Sequence, residues 1–338
     1  MYDESEQWLL DDVSAAIDCL EFAEPLLVAA LDGDAPTLDA AVRAHMDAYA
    51  LNTPVATRPT SWEPERASPV LNVELDGAEV DGRFDVSSVV AVDGIVDDAL
   101  RGDLLELLGG GEEPHPEFWE QGVFTDTTTG DTGRGGYGLR AEALEALCAD
   151  EPPPAAIVEL QSRISKLIAA ANPEPVVVAR QPEAALGGEV PPLAGNAPCA
   201  ADAADAYSWH VDADPLQLPP SPWTDAFGRY PNRAPGKPRF VSALVYLNPA
   251  WEAEWGAPTR FLDCGSGDVL EVPVAPGRVV LLDMDVSHSV TAPTAAAGER
   301  ARYSLVCKLV LHPSGGEAAI ADPKWGAPVR FGSAVLPS

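Results

Sequence analysis

Apolar residues recur along this chain in two rhythms, helical in its first half and strand-like in its second. Trp8, Leu9, Val13, Ile17 and Leu20 return at three- and four-residue intervals, which predicts a helix. Leu38 to Tyr49 is Ala-rich and predicts a second, with Asp32-Gly33-Asp34 breaking the two apart. The proline-bearing stretch Asn52 to Pro69 reads as a linker. It divides a helical N-terminal extension, residues 1–60, from a main domain, residues 61–338. In the main domain Ser87 to Val92 predicts a strand, and Val96 to Leu108 a helix that stops at Gly109-Gly110-Gly111. Glu112 to Gly138, rich in Gly, Thr and Asp, reads as loop, and Leu139 to Cys148 as a helix. Pro154 to Ala171 has the longest amphipathic pattern, through Ile157, Leu160, Ile164, Leu167 and Ile168. Residues 172–206 hold one short strand, Val176-Val177-Val178.

After Tyr207 the rhythm changes. Short β-rich runs bounded by Gly and Pro follow one another: Phe240 to Leu247, Arg260 to Leu262, Val269 to Val274, Arg278 to Leu282 and Tyr303 to Leu311. Their near-regular spacing predicts a β-sandwich or barrel, with the β-core over about residues 200–312.

Composition narrows the functional classes. The formal charge is −32, from 53 acidic and 21 basic residues, and residues 1–150 hold 33 of the acids against 7 of the bases. So acidic a surface repels phosphate backbones, which argues against a nucleic-acid partner. It is either a plain solvated surface or a docking face for basic partners. No apolar run reaches the roughly 18 residues of a spanning helix, and the start, Met1 to Glu6, is acidic where a leader peptide is basic. The expectation is a soluble, cytoplasmic protein. Five cysteines without CxxC or CxxxC spacing argue against a disulfide framework and a structural zinc site.

Trp209-His210-Val211-Asp212 sets an imidazole and a carboxylate two residues apart, on one face if the segment is a strand. Chance alone produces this pattern often. A third ligand comes from elsewhere among five histidines, and His288, after the strand Arg278 to Asp283, is the best placed. That strand is expected to run antiparallel near the first ligands; read alone, His288 is better explained as a histidine capping a strand through a backbone hydrogen bond. Two His and one carboxylate leave three adjacent positions open on a metal, which suits non-haem Fe(II). Fourteen residues further on, Arg302 and Ser304 share a face, and a guanidinium with a hydroxyl beside it can fork onto a carboxylate. The alternative is an ion pair between Arg302 and one of the many acids. Arg300 and Lys308 are weaker candidates.

On these residues the segment 207–311 resembles the prolyl-4-hydroxylase-like branch of the Fe(II)/2-oxoglutarate oxygenases. Tyr207 to Asp212 matches that branch's Tyr-x-x-His-x-Asp. Tyr246-Leu247-Asn248 followed by Trp251 is similar to its Tyr-Leu-Asn-x-x-Trp. Pro276-Gly277-Arg278 resembles its Pro-x-Gly-Arg strand, His288-Ser289-Val290 with Pro293 its His-x-Val-x-Pro, and Arg302-Tyr303-Ser304 its Arg-x-Ser. The resemblance implies an α+β, β-rich fold: a double-stranded β-helix (jelly-roll, cupin-like) core with supporting helices. It implies Fe(II) on His210, Asp212 and His288, and 2-oxoglutarate held by Arg302, Ser304 and Tyr246. Tyr207 joins the cosubstrate candidates, lining the cup through its hydroxyl or merely packing. Ascorbate is a further cofactor candidate. The implied activity is hydroxylation of a C–H bond with succinate and CO2 as coproducts, on a protein residue or a free small molecule. Retention of Asp212 favours hydroxylation over halogenation, because a halide needs the carboxylate's position.

Two departures bear on the substrate. Trp255-Gly256-Ala257-Pro258 stands where the family often has Gly-Gly, and the proline-rich stretch Ala213 to Pro238 is a long insertion. Its aromatics Trp223, Phe227 and Tyr230, with Arg229 and Arg233, form a lid or fold onto the barrel wall. Trp251 and Trp255 are expected to cover the core rather than stack on substrate. A non-catalytic β-helix binding module is the rival reading. A zinc hydrolase is weaker, since no HExxH occurs and Arg302 would have no task.

Overall fold

The computed structural model describes residues 60–80, 82–111, 114–125, 132–140, 142–143, 147, 154–172, 176–181, 193–197, 207–313 and 325–331. The two predicted N-terminal helices lie outside the described residues.

The strands in chain order are β1 (Ser68–Val80), β2 (Arg83–Asp93), β3 (Trp119–Thr125), β4 (Thr132–Leu139), β5 (Val176–Arg180), β6 (Leu193–Ala197) and β7 (Tyr207–His210). There follow β8 (Arg239–Tyr246), β9 (Thr259–Leu262), β10 (Val269–Val272), β11 (Val279–Asp283), β12 (His288–Val290), β13 (Ser304–Pro313) and β14 (Val329–Arg330). A ten-stranded sheet runs β14-β1-β2-β11-β8-β13-β6-β4-β3, with β5 also paired to β13, and a four-stranded sheet runs β10-β9-β12-β7. Val73, Leu75, Val89, Leu244, Val280 and Leu282 of the large sheet share one core with Phe261, Leu270 and Val272 of the small one. Two facing sheets closed over a common core make the double-stranded β-helix cup.

The central strands β8 and β11 are buried along their whole length, because both faces are covered. Alternate residues, Val241, Ala243, Val245, Val279 and Leu281, turn outward onto a second core with Leu100, Leu104, Ile157, Leu160, Ile164 and Ile168. Those residues belong to two helices, α1 (Asp98–Leu107) and α2 (Ala155–Ala171). Each apolar side chain fully buried there contributes roughly 1.5–3 kcal/mol. Asp97 caps α1 by accepting from Leu100 N at 3.0 Å, and Arg163 of α2 grips the same carboxylate at 2.8 Å. A buried ion pair ties β2, β8 and β11 together: Arg239 forks onto Asp283 at 2.6 and 2.9 Å, and Asp283 also accepts from Ser88 N at 2.7 Å. Gly277, at φ 70°, turns the chain into β11; a Cβ there would sit 2.2 Å from the Val96 carbonyl oxygen.

Several sequence expectations need correction. The segment read as linker enters the core at Trp62, whose Nε1–H donates to Gly94 O at 2.9 Å, and from Ser68 it is β1. The alternation Leu71, Val73, Leu75 marks that strand. Glu112 to Gly138 is not a loop throughout: β3 and β4 form a hairpin in register from Trp119 opposite Leu139. Gly and Thr pair through the backbone as well as larger residues do, so no apolar alternation betrays them. Leu139 closes β4 instead of opening a helix, while Glu142, Ala143 and Leu147 are helical. Residues 193–197 form a second strand beside Val176–Arg180, also Gly/Ala-rich, paired to β13. No described helix is long and apolar enough to cross a membrane.

Candidate metal and cosubstrate site

His210 ends β7 and His288 opens β12, and the two are direct partners in the antiparallel ladder. Their rings lie 4.3 Å apart between centroids. The strand before His288, β11, sits in the other sheet between β2 and β8, so the expectation that it would neighbour the first ligands is corrected: β12 takes that place. Asp212 lies just beyond β7 rather than within it. Its position comes from its backbone N–H, which donates to Met284 O at 2.9 Å.

The Oδ1 of Asp212 is 3.9 Å from His210 Nε2 and 4.0 Å from His288 Nε2. One ligand atom from each of the three residues lies within 4.8 Å of the others. Ser242 Oγ donates to Oδ2 at 2.5 Å, and the Lys308 ammonium contacts Oδ1. Burial opposes ionisation of Asp212, but the charges of Lys308 and His288 and the bonds from Lys308 and Ser242 outweigh it and hold the carboxyl at about 2. Burial also brings His288 down to about 4, against the pull of Asp212. His288 is therefore neutral at neutral pH, the state a metal ligand needs. Its Nδ1 lies 3.1 Å from Val286 O; a carbonyl only accepts, so Nδ1 carries the hydrogen and Nε2 keeps its lone pair.

The cosubstrate candidates gather on the same inner wall. Arg302 and Ser304 are fully buried, and Arg302 NH1 donates to Ser304 Oγ at 3.3 Å. Its guanidinium lies 4.8 Å over the Tyr246 ring, and NH2 donates to Thr259 Oγ1 at 2.8 Å. The Tyr246 and Thr259 hydroxyls are hydrogen-bonded to each other at 2.8 Å. Thr259 was not singled out in the sequence. Its signal is the period of β9, where Thr259 and Phe261 both face inward and Phe261 stands opposite His288. Tyr207 starts β7, but its side chain lies outside what is described. Two imidazoles, an ionised carboxylate and a buried guanidinium among hydroxyls form a donor set that fits Fe(II) and a dicarboxylate.

Residues 199–309 match the model of the 2OG-Fe(II) oxygenase superfamily, a stretch that runs from before β7 into β13 and holds every site residue just described. Over those residues the chain is similar to that superfamily. The match marks this stretch as an oxidoreductase domain of the 2-oxoglutarate-dependent kind, and the family implies Fe(II), 2-oxoglutarate and O2 as its reactants. No curated protein matches the sequence. Among solved structures, a 2OG-Fe(II) oxygenase-family oxidoreductase from Burkholderia pseudomallei is similar at 14% identity and TM-score 0.36, over 69% of this chain and 89% of that one. A Trichoplax adhaerens prolyl hydroxylase, in complex with a hypoxia inducible factor peptide fragment, gives 14% and 0.36 over 67% and 83%. AviO1 from Streptomyces viridochromogenes gives 15% and 0.38 over 72% and 93%.

The insertion at 213–238 folds onto the barrel wall. A short helix, α3 (Pro222–Phe227), starts at a reciprocal Ser221–Thr224 capping box. Trp223 and Tyr230 are buried against Phe240, Met284 and Val310, at the end of β8 and β13 away from Tyr246. Asn232 donates to Phe240 O at 2.9 Å and accepts from Phe240 N at 2.7 Å, while Arg233 reaches Glu74 of β1 at 3.2 Å. Trp251 and Trp255 meet edge to face with centroids 5.4 Å apart, and Trp251 packs on the inner core.

Proposed function

We propose that this oxygenase hydroxylates a C–H bond, with His210, Asp212 and His288 holding Fe(II). Arg302, Ser304, Thr259 and Tyr246 receive the far carboxylate of 2-oxoglutarate. The observation that carries the proposal is the convergence of two imidazoles and one carboxylate within 4.8 Å. Bound iron and 2-oxoglutarate supply oxygen activation coupled to decarboxylation, with succinate and CO2 as coproducts. The chain's own residues do the rest. Ser242 fixes which oxygen of Asp212 turns to the imidazoles, Val286 O fixes the His288 tautomer, and Arg302 orients the cosubstrate from its buried seat.

Tyr207-Ser208-Trp209-His210-Val211-Asp212 supports a prolyl-4-hydroxylase-like subtype. A second reading, a compact free substrate, is favoured by the inward packing of Trp223 and Tyr230, which fills one end of the cup wall. Ascorbate dependence belongs to the same proposal, as a requirement for sustained turnover. The test is succinate formation from 2-oxoglutarate under O2 with Fe(II), first without and then with proline peptides. Iron-dependent succinate lost in His288→Ala supports the reading. Its absence, even as slow uncoupled turnover, favours the non-catalytic binding module.

A further inference from the structure

Lys308 projects from β13 onto a candidate metal ligand, and the proposed function makes no use of it. Its ammonium contacts Asp212 Oδ1, the oxygen that also faces Nε2 of both histidines at 3.9 and 4.0 Å. The other oxygen is held by Ser242, and Ser242 and Lys308 are direct cross-strand partners of β8 and β13. The two side chains thus grip Asp212 as a pair, one oxygen each. The Lys308 side chain is only 14% exposed, so water and salt screen its charge poorly.

A divalent cation gathered by the two imidazoles and Asp212 needs Oδ1. An ammonium and a metal ion cannot both sit on that oxygen, because the like charges repel in a poorly screened site. We propose that Lys308 is a gate on metal loading: a built-in cation that competes with the metal for Asp212 Oδ1. It keeps metal affinity below what the three ligands alone would give, and it holds the carboxylate aimed at the imidazoles until the metal displaces it. The inference rests on the triad being the metal site.

The experiment is Mn(II) titration of chelator-stripped full-length protein, in the parent and in Lys308→Met, Lys308→Gln, Lys308→Arg and His288→Ala. Met and Gln remove the competing charge and should tighten Mn(II) binding roughly tenfold or more, whereas Arg keeps the charge and should bind within about threefold of the parent. Metal-free Lys308→Met should melt below the parent and gain more from saturating Mn(II), since its buried carboxylate has lost a partner. Lys308→Gln retains a hydrogen-bond donor to Asp212 and carries the comparison should the Met variant fail to fold. Unchanged or weaker binding in the neutral variants, with His288→Ala binding abolished, overturns the gate and leaves the triad standing. Parent-like binding in His288→Ala overturns the triad itself.

Discussion

His210 and His288 stand 78 positions apart in the chain yet face each other as partners of one antiparallel strand pair, ring centroids 4.3 Å apart. The ladder makes this relationship stiff. Slipping β12 by one residue would turn the His288 ring to the opposite face, so the site inherits its precision from backbone pairing rather than from a flexible loop. Asp212 lacks that support, lying past the end of β7, and depends on Met284 O and Ser242 for its position.

Ser242→Ala should therefore weaken metal binding without unfolding the protein. Loss of a hydrogen bond to a ligating carboxylate typically costs 10–100-fold in metal affinity. Mn(II) titration reads the change, with circular dichroism confirming the fold; parent-like affinity would show that Ser242 does not orient Asp212.

Two buried groups move stability in opposite directions as the pH falls. His288 titrates at about 4, below its ordinary 6.5 because of burial, so between 6.5 and 4 the unfolded chain binds a proton that the native state does not, and stability is lost. Asp285 is pushed up from 3.8 to about 7 by burial and by the charge of Asp283. Between 7 and 3.8 the native state binds the extra proton, and stability is gained. The two nearly offset. Asp285→Asn should expose the histidine's slope, with the metal-free protein losing about 3 kcal/mol between pH 6.5 and 4. At pH 8 the same variant should be the more stable, having shed a buried charge. Urea unfolding across this range is the measurement, and a flat profile in the variant would contradict the assignment.

Arg302→Lys keeps the charge but loses the planar fork. The KM for 2-oxoglutarate should rise by about 100-fold, with Mn(II) affinity unchanged. Thr259→Val removes one neutral hydroxyl from the same seat and should raise it about tenfold. Equal effects on metal and cosubstrate would mean that the substitutions disturb the fold and not the seat.

Trp223 is a core residue of the insertion, buried against Phe240 and near Tyr230. Trp223→Ala should cost about 3–5 kcal/mol, read by urea denaturation. A cost below about 1 kcal/mol, the range of surface changes, would mean that the insertion is a loosely held lid.

The sequence disclosed most where apolar spacing and chemistry coincide. The strands around Val245, Leu281 and Leu305 alternate or run continuously apolar, and the helix through Ile157 and Ile164 repeats at helical period, so both stood out. The ligand set was legible because His210, Asp212, His288 and Arg302 are scarce residue types in a recognisable order. Strands built of Gly, Thr and Ala, such as Thr132–Leu139 and Leu193–Ala197, were not, because their pairing lies in the backbone. Thr259 was hidden for another reason, and Lys308 was legible only as a weak candidate for the cosubstrate carboxylate, not as a partner of Asp212. A lone Thr or Lys has no pattern until the sheet sets it beside Arg302 or Asp212.

The most direct measurement is an anaerobic crystal structure with Mn(II) and 2-oxoglutarate. One ion should be bonded to Nε2 of His210, Nε2 of His288 and a carboxylate oxygen of Asp212, with the cosubstrate's far carboxylate on Arg302. An ion bound elsewhere, or a cosubstrate carboxylate that leaves Arg302 uncontacted, would contradict the proposed site.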